Sequence, residues 1–133
     1  MLTDRGSPVA DAKDLIRRGN RRLACELLEP WLEDYPEDAA AWSAMAAALF
    51  EMGELTEALA ASEQVVQLRG TARDWCNHGT LLRKAGRTRD AERAQYQALT
   101  VDPLYEHART ELGKIHLAAT IGADEDHDAN DFV

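Results

Sequence analysis

Residues 71–103 read TARDWCNHGTLLRKAGRTRDAERAQYQALTVDP. Within this stretch Trp75, the small Gly79, Leu82 and then Ala91 and Ala98 recur at helical spacing on either side of Gly86, and Pro103 closes it. Apolar and small residues at such offsets share one helix face, a glycine supplies a turn, and a proline cannot continue a helix. The stretch therefore predicts a helical hairpin. The same punctuation stands twice upstream: Gly19, Gly53 and Gly86 are each followed five residues later by Ala24, Ala58 and Ala91. Leu15, Leu49 and Leu82 stand four before them, Ala12, Ala46 and Gly79 seven before, and Pro8, Trp42 and Trp75 eleven before; Pro36, Gly70 and Pro103 follow. The period is 34 residues, then 33. Repetition at that length marks one supersecondary unit stacked on copies of itself, with small residues where two helices approach closely.

Periodicity and capping signals place seven helices, at about 8–19, 22–35, 39–52, 55–69, 72–86, 89–101 and 104–120, and no strand. Ser7-Pro8 and Asp102-Pro103 suit helix starts, and Thr71 with Asp74 three residues on forms a capping pattern. The last helix repeats only the first half of a unit, with Gly113 in the small slot and Thr120 in the turn slot. It reads as a cap over the open end of a stack.

These residues resemble the tetratricopeptide repeat (TPR) family, whose pattern runs W-x-x-L-G-x-x-Y, then A-x-x-x-F, then P. The third unit matches in register through Trp75, Gly79, Leu82, Gly86, Ala91, Ala98 and Pro103; the second keeps Trp42, Met45, Ala46, Leu49, Gly53 and Ala58; the first keeps Ala12, Leu15, Gly19, Ala24 and Pro36. The resemblance spans about residues 6–120 and implies an all-α, right-handed superhelical solenoid of antiparallel hairpins. It divides the chain into repeats at about 6–38, 39–71 and 72–105, a capping helix at 104–120, and an acidic tail at 122–133, disordered by composition. Departures fall at His78 and His116, in slots usually held by leucine and tyrosine, and at Ser62 and Gln95, in a slot usually aromatic. They predict irregular packing on the outer helices, with His78 and His116 on buried faces and Trp42 and Trp75 in the core. Trp31 stays open between packing and exposure.

In this family the first helix of each hairpin lines a concave groove. The resemblance thus implies that Lys13, Ile16, Arg17, Phe50, Arg73, Asn77, Arg83, Lys84, Lys114 and Leu117 form a peptide-binding groove, with Cys76 and His107 on or near it. Six bases (Lys13, Arg17, Arg73, Arg83, Lys84 and Lys114) face one acid, Glu51. Such segregation attracts an acidic or C-terminal carboxylate segment, because arginine grips carboxylates with two parallel hydrogen bonds. Equally, these cations can serve only to solvate an exposed face. A subtype of the family holds chaperone tails in a carboxylate clamp of lysine, asparagine and arginine. Val9, Lys13, Ala44, Arg73 and Asn77 occupy those slots, and only Arg73 is a conservative match, so binding of that type is not expected.

Composition narrows the function further. The chain has 133 residues, 15 Lys+Arg and 24 Asp+Glu, for a formal charge of −9. Charge runs in blocks: +3 over 1–22, −10 over 23–68, +4 over 69–93, −1 over 94–120 and −5 over 121–133. A net acidic chain disfavours nucleic acid as a partner. No basic and apolar leader opens it, and the most apolar run, residues 39–50, is too short to span a bilayer. Cys25 and Cys76 stand far apart with no C-x-x-C pair, which suits reduced thiols in a cytoplasm. None of His78, His107, His116 and His127 pairs with another at metal-ligand spacing, so no metal or cofactor is expected. Cys76 and His78, at i and i+2, point apart on a helix, and phosphate-loop, nucleophile-elbow and dinucleotide glycine patterns are absent. An enzyme is not expected.

What remains is a peptide-binding adaptor or chaperone-like module, with a self-assembling scaffold of homo-oligomers as the alternative, since blocks of opposite charge could join stacks end to end. The tail is read as a solubilising segment or, alternatively, as an acidic ligand that docks into the groove in cis or in a neighbouring molecule.

Overall fold

The three turn glycines adopt the left-handed backbone that the repeat requires of them: φ is 87° at Gly19, 82° at Gly53 and 82° at Gly86. In each case the N–H of the following residue returns to the leucine four positions before the glycine: Asn20 to Leu15 O, Glu54 to Leu49 O and Arg87 to Leu82 O, at 2.8, 2.8 and 2.9 Å. This is the Schellman closure of a helix C-terminus, in which a residue without Cβ reverses the chain and satisfies carbonyls the helix leaves open.

The computed structural model describes residues 6–125; the notional tail from Asp126 onward, including His127, lies outside them. Within them are seven helices: α1 (Val9–Arg17), α2 (Arg21–Asp34), α3 (Ala39–Glu51), α4 (Leu55–Leu68), α5 (Ala72–Lys84), α6 (Thr88–Val101) and α7 (Glu106–Glu125). No strand occurs among the described residues. The expectation of an all-α helical repeat holds. Two helix ends differ from the reading above. α7 begins later, because Asp102 and Pro103 form a turn in which Asp102 Oδ1 accepts the Leu104 N–H at 3.0 Å and Asp102 O accepts that of Tyr105. It also runs on to Glu125, so residues 122–125 are helical and do not belong to a disordered tail.

The chain divides into two compact units at Gly70/Thr71. In the first, α1 packs on α2, α3 on α4, and α3 also meets α1 and α2. Its core is built from Ala12, Ala24, Cys25, Leu28, Leu32, Ala41, Ala44, Met45, Ala46, Ala48 and Ala61. Alanine at the helix crossings permits close approach, and Trp31, Trp42 and Leu49 fill the margins half-buried. Both tryptophans tie the α2–α3 turn: Trp31 Nε1 donates to Asp38 Oδ2 at 2.9 Å and Trp42 Nε1 to Pro36 O at 2.8 Å. Asp38 also caps α3 by accepting the Ala41 N–H.

In the second unit α5 packs on α6, and α7 lies against both. Thr71 and Asp74 form the full capping box at the start of α5, with Thr71 Oγ1 accepting from Asp74 N and Asp74 Oδ2 from Thr71 N. Ala72, Cys76, Ala98 and Ala108 form the core cluster, with Trp75 half-buried beside it. Gly79 is the tightest point. A Cβ there would overlap the Gln95 carboxamide and stand 3.2 Å from Ala91 O. Gln95 fills the family's aromatic slot fully buried, its Nε2 donating to Cys76 O at 3.0 Å while Oε1 has no partner.

Candidate functional site

The groove residues fall into two sets, one in each unit. In the first unit α1 supplies Lys13, Ile16 and Arg17, and α3 supplies Phe50. Lys13 is exposed, Ile16 is half-buried against the core, and Phe50 is 37% exposed. Arg17 bonds Asp14 on its own helix at 3.1 Å, and Arg21 of α2 bonds Glu51 at 2.8 Å, so the acid counted in this face is already neutralised by a base outside it. With Asp14 claiming Arg17, this set is less basic than a count of groove positions implies.

In the second unit α5 presents Arg73, Asn77, Arg83 and Lys84, and α7 presents Lys114 and Leu117. Arg73, Asn77, Lys84 and Lys114 are exposed, Arg83 is half-buried, and Leu117 is 61% exposed. What joins the two helices is a residue that the groove reading omitted. Glu111 of α7 accepts from Arg83 Nε at 3.0 Å with one carboxylate oxygen and from Lys114 Nζ at 3.1 Å with the other. Its side chain is only 12% exposed. Burial alone would push this carboxyl up. The hydrogen bonds and positive charges of Lys114 and Arg83 outweigh that and hold it below its ordinary 4.5. The excess of bases therefore persists in this unit, reduced by one buried counter-charge. A sequence signal existed, since Glu111 lies three residues before Lys114, a spacing at which helix side chains meet.

Two assignments, those of Cys76 and His116, need correction. Cys76, placed on the groove face, is buried in the core cluster, and burial raises its thiol pKa to about 11, with Glu111 adding to the rise. Ala44, in a clamp slot, is buried in the core of its unit. His116, expected on a buried face, is exposed and meets Glu92 of α6 at 2.8 Å. The matching residue is half-buried at Leu15 and Leu49 and buried at Leu82, where a second helix packs on the first; among the described residues none follows α7. Gly113 shows the same effect: a Cβ there meets nothing within 4 Å. His78, by contrast, is buried as expected, edge-on to Trp75, and His107 is exposed beside Tyr105.

Among the described residues no group of His, Cys, Asp or Glu is arranged to hold a metal ion, and no helix is long and apolar enough to cross a membrane. The site offers hydrogen-bond donors, positive charge and exposed apolar side chains. Those are means of binding an anionic, partly apolar segment.

No protein-family model matches the sequence, and neither does any curated protein sequence. Solved structures do match the fold. The first TPR domain of human RPAP3 superposes with a TM-score of 0.78 at 16% identity, over 87% of this chain and 92% of that domain. The second TPR domain of human RPAP3, solved in complex with the HSP70 peptide SGPTIEEVD, gives 0.75 at 21% identity over 80% and 90%. The first TPR of Spaghetti (RPAP3), bound to the HSP90 peptide SRMEEVD, gives 0.77 at 17% identity over 84% and 89%. MamA gives 0.74 at 16% identity; the chain spans 64% of its length. The fold is that of a TPR domain.

Proposed function

We propose, from this TPR fold, that the chain is an interaction module of adaptor or chaperone-like kind that binds an acidic peptide or protein segment in the cytoplasm. The observation that carries the reading is the grouping on α5 and α7 of Arg73, Arg83, Lys84 and Lys114 in a protein of net charge −9. A carboxylate-rich segment is drawn by that charge, gripped by arginine forks, and anchored by apolar contact with Leu117. Lys13, Ile16, Arg17 and Phe50 would serve as a second set of contacts in the first unit. The peptides held by the RPAP3 domains both carry the acidic run Glu-Glu-Val-Asp, which lends support to a peptide ligand of this character. The mode would differ from a carboxylate clamp, because Val9 and Ala44 bring no polar group to their slots and both pack into the core of the first unit. No catalytic step is assigned, in keeping with the burial of Cys76 and its raised pKa.

The test is fluorescence anisotropy of a labelled hexaglutamate peptide, with hexalysine as control. Wild type should bind hexaglutamate, more weakly as salt rises, and changing Arg73, Arg83 and Lys84 together to Glu should abolish binding. Binding that survives this reversal would refute the reading. The alternative, a self-assembling scaffold, draws on the charge blocks of opposite sign; it requires oligomers that shrink with salt in light scattering. Binding that strengthens on removal of residues 126–133 would assign the acidic segment a competing role in the same groove.

A further inference from the structure

Glu111 stands in an unusual position for a groove meant to attract acids. It is a carboxylate, nearly buried, held ionised, and located between two of the cations that the proposed ligand would need. Electrostatic bookkeeping alone would make it a liability. The geometry of its contacts argues otherwise. Glu111 takes Arg83 through Nε, at the side of the guanidinium, and Arg83 makes no other hydrogen bond among the described residues. Held by that edge, the guanidinium keeps its two Nη groups for a second partner, and a planar fork whose orientation is already fixed loses little entropy on gripping a carboxylate. Lys114, 55% exposed, is tethered by one contact to the other oxygen of the same carboxylate, which limits the wandering of a long ammonium arm.

We propose that Glu111 is a positioning residue that sets the affinity and specificity of the α5–α7 face for carboxylate-bearing peptides, by orienting Arg83 and Lys114 toward the ligand from beneath. This rests on the acidic-peptide reading above and deepens it. The ligand class follows from the fork: an extended segment with carboxylates, bound better than an equally charged partner lacking planar oxygens in pairs.

The experiment measures labelled hexaglutamate binding by anisotropy to the full chain and to Glu111→Gln, at several salt concentrations. Removing an acid from a site for acids should, by simple charge, tighten binding severalfold and steepen its salt dependence. Positioning predicts the opposite sign: about tenfold weaker binding and a shallower salt dependence, because two side chains must now be ordered by the ligand itself. Arg83→Lys keeps the charge but lacks the Nε anchor and the fork, and should weaken binding about as much. It also serves if Glu111→Gln fails to fold, as judged by circular dichroism. Equal or tighter binding by the folded Glu111→Gln variant, or unchanged binding by Arg83→Lys, overturns the inference while leaving the acidic-peptide reading intact. No hexaglutamate binding by wild type overturns both.

Discussion

Gly79 and Gly113 occupy the same repeat slot, yet substituting each by alanine should move stability in opposite directions. Both lie within helices, where alanine in place of glycine gains roughly 0.5–1 kcal/mol from reduced chain entropy. At Gly113 nothing stands within 4 Å of the added Cβ, so that gain should appear in full. At Gly79 the Cβ would stand 2.9 Å from Gln95 Cδ and 3.2 Å from the Ala91 carbonyl oxygen. Gln95 is fully buried and its Nε2 bonds Cys76 O, so it cannot retreat without giving up that bond. Overpacking costs about 1–3 kcal/mol and a lost hydrogen bond about 1 kcal/mol, against which the propensity gain is small. Gly79→Ala should therefore be destabilised by about 1–3 kcal/mol. Urea unfolding followed by circular dichroism reads this as a midpoint lowered by about 1 M, while that of Gly113→Ala rises. A Gly79→Ala variant as stable as Gly113→Ala would refute the close crossing of α5 and α6.

Other consequences are quickly checked. Glu111 has its folded pKa lowered below 4.5, so its contribution to stability is present above that value and lost as pH falls through the lowered folded one. Urea midpoints should drop more steeply in acid for wild type than for Glu111→Gln. At pH 8 the Cys76 thiol, at about 11 against an ordinary 9.0, should carry about a hundredfold less thiolate than an exposed cysteine. It should react with a thiol reagent only on unfolding. Asp38→Ala removes the α3 cap and leaves Trp31 Nε1 without its acceptor, and should cost about 1–2 kcal/mol with a shift in tryptophan emission.

The architecture was legible because its devices are local. A glycine that must take positive φ, a leucine four residues before it, and a Thr-Asp capping pair act within one or two turns, and sequence spacing reports them directly. Asp102-Pro103 misled because the same pair suits either a helix start or a tight turn, and only the carbonyl partners decide. The candidate site rests on repeat positions, and its charge balance could not be read from them. Arg21–Glu51 and Arg83–Glu111 join residues 30 and 28 positions apart, beyond any helical periodicity. His116 and Gly113 were placed by analogy with earlier units, and the analogy fails at α7, which no second helix follows among the described residues. Gln95 shows a further gap: a polar residue in an aromatic slot suggested loose packing, whereas it is fully buried under a glycine small enough to admit it.

The central claim, that an acidic segment binds across α5 and α7, is tested most directly by nitrogen–proton correlation spectra of labelled protein titrated with hexaglutamate. Helix α6 carries Arg89 and Arg93, with Arg87 at its N-cap; Arg87 and Arg93 pair with Asp90, and the three bases provide an internal control. The account predicts saturable shifts at Arg73, Asn77, Arg83, Lys84, Lys114 and Leu117, with the α6 bases unmoved. Shifts concentrated on α6, or spread evenly over every basic residue, would contradict it.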